Sequence, residues 1–169
     1  MHPISEKECE ASLRELHKLF PENLEAIQEE MAQQQPILFR YILAFEYDDI
    51  LTEEDHDLVL FLGTLIWKIM TAGNNRIKRI SKTKIKEAEL KNLALFNNLK
   101  TDYDLLNMID SILEAYNQQI VFVFILFSLM EDEIKELLKE KRDKDKLVYI
   151  ENKIYMLLFL KTMIDCLDQ

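Results

Sequence analysis

Glycine and proline are almost missing from this sequence. Gly63 and Gly73 are its two glycines and Pro3, Pro21 and Pro36 its three prolines, so no proline follows position 36 in a chain of 169 residues. A β-rich chain of this length needs many tight turns, which draw on Gly, Pro and Asn-Gly pairs. Their scarcity argues against a sheet-built fold and predicts a few long helices. It also argues against nucleotide binding through glycine-rich loops. Such loops need several glycines so that backbone N–H groups can close on a phosphate. Neither glycine here has a second one near enough for a G-x-G-x-x-G or Walker A pattern.

Cysteine and histidine are nearly as scarce. Cys9 and Cys166 lie at opposite ends with no metal-ligand spacing, and a disulfide framework wants more. They read as reduced thiols of a cytoplasmic protein, with a bridge between terminal helices as the alternative. Structural zinc sites want four Cys/His ligands in close pairs, and the five such residues are scattered from His2 to Cys166. No metal or other cofactor is expected. The opening "MHPISEKECEAS" is acidic and lacks the apolar region of a signal peptide. The longest nearly unbroken apolar run, Leu58–Ala72, contains Lys68 and falls short of the roughly 20 residues that span a bilayer.

What is present is globular in balance: 49% hydrophobic and 31% charged residues. One domain over residues 1–169 is the simplest division, long enough to bury a core. The net charge of −10 is unevenly spread. Residues 1–57 carry 15 acids against 4 bases, residues 58–100 carry 2 against 9, and residues 101–169 carry 14 against 8. An acidic total disfavours nucleic acid as a partner, because phosphate neutralisation supplies most of that affinity.

Helix starts recur along the chain. Ser5-Glu6-Lys7-Glu8 fits a capping box, and Cys9, Leu13, Leu16 and Phe20 follow as one apolar stripe. Pro21 breaks that helix; Leu24, Ile27 and Met31 mark the next, and "QQQP" at 33–36 is a joint. Thr52 opens another helix, Gly73 is a plausible end signal for it, and a helix over roughly 83–98 follows. Thr101 looks like a further start. From 102 to about 138 no Gly or Pro intervenes, so the β-branched, aromatic run "IVFVFILFSLM" reads as helix rather than strand. "KEKRDKDK" at 139–146 is the next break, and Leu147 to Leu167 define a last helix. The fold expected is all-α, a single globular bundle of six to eight helices. The similar spacing of the starts at Ser5, Thr52 and Thr101 leaves a short α-solenoid of helix pairs as the alternative.

Two stretches invite a functional reading. In "TEEDHD" (52–57), Glu53 and His56 have the E-x-x-H spacing of di-iron bundles. A second such half-site is missing, since Arg14 stands three before His17. Acids in a first helical turn are favoured by the partial positive charge there, so the stretch reads as a helix start. The basic stretch is more distinctive: Arg76, Lys78, Arg79, Lys82, Lys84 and Lys86 put six cations into eleven residues. It reads as a solvated connection, or as a docking patch for an acidic surface. Asp110 and Glu114 belong to a polar stripe and read as a solvated face. No catalytic constellation can be named.

Four segments, 37–45, 58–70, 120–130 and 154–164, are apolar around most of the helix. Surplus apolar surface would form a subunit interface or an interhelical pocket. The function expected is therefore a non-enzymatic interaction or regulatory module, self-associating as a homo-oligomer or binding an acidic or protein partner. The alternative is a helical bundle holding a small apolar ligand.

Overall fold

A computed structural model describes residues 1–19, 23–43, 51–72, 77–97, 99, 102–137 and 151–169. Among these residues the protein is entirely helical, with eight helices and no strand: α1 (Glu6–Leu19), α2 (Leu24–Gln34), α3 (Pro36–Leu43), α4 (Glu53–Thr71), α5 (Lys82–Phe96), α6 (Asp102–Ala115), α7 (Gln119–Leu137) and α8 (Glu151–Leu167). The expected endings at Pro21 and Gly73, the start at Thr101 and the break at 139–146 lie outside the described residues.

Local chemistry sets several boundaries. The Ser5 backbone N–H donates to Glu8 Oε2 at 2.8 Å, and the Glu8 N–H returns a bond to Ser5 Oγ at 3.3 Å. Thr52 and Asp55 make the same reciprocal pair before α4, at 2.9 and 3.2 Å. "TEEDHD" is therefore the capped start of a helix, its acids facing the unpaired N–H groups of the first turn. Asn152 of α8 also donates to Asp55, tying this cap to the last helix. Burial pushes the Asp55 carboxyl up, but the donors from Thr52 and Asn152 outweigh it and hold it below the ordinary aspartate value.

α8 is the hub of the packing. It lies against α4, α5 and α7, while α1 and α2 cover α4, and α3 bridges α2 and α4. Met156 to Ile164 is buried around the whole girth of α8, as are Leu62 to Trp67 of α4. Enclosure of the all-round apolar segments within one core explains how so few amphipathic helices suffice. A stacked solenoid would restrict each helix pair to its neighbours; here the last helix touches helices from the middle of the chain. The arrangement is a globular bundle. Gly63 permits one close approach: a Cβ there would meet Ile42 Cδ1 of α3 at 3.1 Å.

Two features depart from local expectation. The helix anticipated to run unbroken from 102 is divided at Tyr116–Gln118, without Gly or Pro. Tertiary bonds account for the break. Gln118 is fully buried; its Oε1 accepts from the Ile4 N–H at 3.0 Å and its Nε2 donates to Asp168 Oδ1 at 2.9 Å. Asn117 donates to the Met1 carbonyl and to Asp168. The second feature is Gln35, buried between α2 and α3. Its amide accepts from the Ile80 N–H and donates to the carbonyls of Ile77 and Lys78, pinning the non-helical segment 77–80 beneath α5.

Candidate functional site

Ser81 caps α5, its hydroxyl accepting from the Lys84 N–H at 3.2 Å. The basic residues fall on either side of that cap. Lys78 and Arg79 stand on the pinned segment, and Lys82, Lys84 and Lys86 on the first turns of α5. Lys78, Arg79, Lys82 and Lys86 are exposed, and Lys84 is half-buried. Arg76 lies outside the described residues. Lys82 and Lys86, four apart, share a helix face. Among the described residues no ion pair engages these cations, and no acid occupies the first turn of α5. Lysines at a helix N-terminus also oppose the macrodipole.

A second site was not singled out in the sequence. It lies where α5 and α8 meet and α6 runs alongside. Asn92 of α5 and Thr162 of α8 are fully buried, and the Lys161 side chain is 5% exposed. Lys161 Nζ donates to Asp165 Oδ2 and to Asn92 Oδ1, both at 2.9 Å, and sits 4.5 Å from the centroid of the Tyr116 ring. Asn92 Nδ2 donates to Asp165 Oδ2 at 2.8 Å and to Thr162 Oγ1 at 3.0 Å. The Tyr116 hydroxyl donates to Asp165 Oδ1 at 2.5 Å. An ammonium removed from water needs a counter-charge and satisfied protons, and this cluster supplies both. The ammonium meets a carboxylate, an amide oxygen and an aromatic ring.

Helical spacing puts Lys161 and Asp165 on one face of α8. Tyr116 is positioned by the α6–α7 break, its ring packed edge-on against Phe122 with centroids 5.7 Å apart. Burial pushes the Tyr116 hydroxyl well above the ordinary tyrosine value, and the Asp165 charge adds to it. Burial likewise raises the neighbouring Cys166 thiol to about 12, with Lys84 pulling the other way. Cys9 and Cys166 are both free and buried, and no bridge joins the terminal helices.

Above this cluster opens a cleft of about 520 Å³, within the roughly 300–1,000 Å³ of small-molecule sites. Lys161, Asp165 and Tyr116 form its base. Leu95, Leu99, Met108 and Ile112 line it together with Ser111, Asn107, Lys91 and Asp104. Asp110 and Glu114 are exposed on α6 and do not line it. Among the described residues no group of three or more His, Cys, Asp or Glu is placed to hold a metal ion, and no helix is long and apolar enough to cross a membrane.

One signal in the sequence could have pointed here: Lys161 and Asp165 are charges four apart at the end of a segment, 154–164, that reads as apolar on most sides. Buried charges are paired, and the spacing names the pair. Asn92 and Tyr116 carry no such signal, because their role depends on which helices meet. No family model, curated protein or solved structure matches the chain.

Proposed function

We propose that the protein binds a small molecule in the cleft between α5, α6 and α8. The observation that supports this is the lining of the cleft, four aliphatic side chains together with a largely buried polar cluster, the usual composition of a ligand pocket. Walls of Leu95, Leu99, Met108 and Ile112 take an apolar body, and the groups of α6 between them orient it. This reading puts the apolar-ligand alternative ahead of the interaction module. Titration with the neutral dye Nile red tests it. Saturable one-to-one fluorescence enhancement is expected, and Ser111→Trp, an exposed position on the cleft wall, should abolish it. Enhancement that never saturates, or that survives this substitution, counts against the cleft.

The basic face supports a second role, docking an acidic protein surface or the acidic α1 of another copy. Four exposed cations without ion pairs among the described residues favour it. α1 offers Glu6, Glu8, Glu10 and Glu15, all exposed. Light scattering should find a dimer at low salt and a monomer at high salt, since exposed charges are screened. The Arg79→Glu/Lys82→Glu double variant should be monomeric at both. A salt-independent dimer, or a dimer in that variant, removes this face from consideration. Two buried free thiols support a reducing, cytoplasmic setting for either role.

A further inference from the structure

With the cleft taken as a ligand site, as proposed above, we propose that its occupant is uncharged: an apolar molecule carrying a hydroxyl or comparable neutral hydrogen-bonding group. The base of the cleft holds one positive and one negative group, and each already serves the other. Lys161 already donates to two oxygens at 2.9 Å and sits 4.5 Å from the centroid of the Tyr116 ring. Asp165 receives Tyr116 on one oxygen and Asn92 and Lys161 on the other. A carboxylate or phosphate on the ligand would have to take Lys161 from Asp165 and strand a buried anion. An ammonium would have to take Asp165 from Lys161. Either exchange leaves a largely buried charge without its partner.

Lys91 and Asp104, also of opposite sign, line the cleft as well, so among the described residues its lining carries two cationic and two anionic side chains. What remains for the ligand is neutral capacity. Among the described residues Ser111 and Asn107 have no hydrogen-bond partner, and both face the cleft. The Tyr116 oxygen keeps an acceptor lone pair beyond the proton it gives to Asp165. These groups can orient a hydroxyl, carbonyl or amide while the four aliphatic side chains cover the rest.

The test is competition against Nile red by 1-octanol, octanoate and octylammonium at neutral pH, three probes that share a chain and differ in head-group charge. Octanol is expected to displace the dye at least about tenfold more tightly than either ion, reflecting the cost of leaving a charge unpaired. Its competition should weaken in Ser111→Ala, which removes a neutral partner without touching the charged pair. Equal or tighter competition by either ion overturns the inference and leaves the cleft reading intact. Failure of all three to compete also overturns it. Failure of the dye itself to bind overturns the cleft reading.

Discussion

α4 and α8 each run a long buried stretch through the core and place different polar side chains in it. In α4, Thr64 folds back on the Leu60 carbonyl at 2.7 Å, and the buried indole N–H of Trp67 has no partner among the described residues. Thr64 also accepts from Gln28 of α2 at 3.5 Å and Asp55 from Asn152 of α8, but no charged group enters the buried stretch from Leu62 to Trp67. α8 carries Lys161, Thr162 and Asp165 into the interior, and each meets a partner from α5 or the α6–α7 junction. Its apolar half, Met156–Leu160, does the work of α4, and its last two turns form the base of a cleft. Burial alone therefore does not distinguish a scaffold helix from a site-bearing one. The difference lies in whether the buried stretch carries charged groups that are paired through side chains of other helices.

The comparison can be broken most forcefully at the ion pair. Asp165→Leu strands the Lys161 ammonium and should cost about 3–5 kcal/mol in denaturant unfolding, the usual loss when one member of a buried pair is removed. Lys161→Met/Asp165→Leu should recover much of that loss, because no charge is left behind. A double variant as unstable as the single one would mean that the pair is not what the cluster supports. On α4, Ile66→Ala removes fully buried methyl groups. It should cost about 2–4 kcal/mol, with no compensating second substitution of the charge-neutralising kind.

The smallest expected effect sharpens the comparison through pH. Cys166 is raised from 9.0 to about 12, so above pH 9 the unfolded chain loses a proton that the folded chain keeps. Stability then falls as pH rises, on the order of 2 kcal/mol by about pH 10.5. The raised Tyr116 and Tyr41 hydroxyls act in the same direction above their ordinary range. Urea unfolding across this window should be flatter in Cys166→Ala. An unchanged slope would locate the alkaline sensitivity elsewhere.

Features that depend on residues three or four apart were legible before any fold was known. The capping pairs Ser5–Glu8 and Thr52–Asp55 form as their spacing implies, and the β-branched run around Phe124 is helical. The division at Tyr116–Gln118 was not legible, because Gln118 bonds to Ile4, 114 positions away. The candidate cleft was half legible. Lys161 and Asp165, charges four apart near an apolar segment, carry a usable signal that reading 154–164 as apolar passes over, whereas Asn92 looks like any polar residue of α5 until α8 is laid against it.

Gln35 grips residues 77, 78 and 80 by peptide groups alone. The side chains of Lys78 and Arg79 play no part in that hold, so chain path and surface character are inherited separately at this corner. Mutational drift or deliberate engineering can rewrite the sign of the face while the trajectory persists, which makes it a safe place to graft a label or redirect recognition.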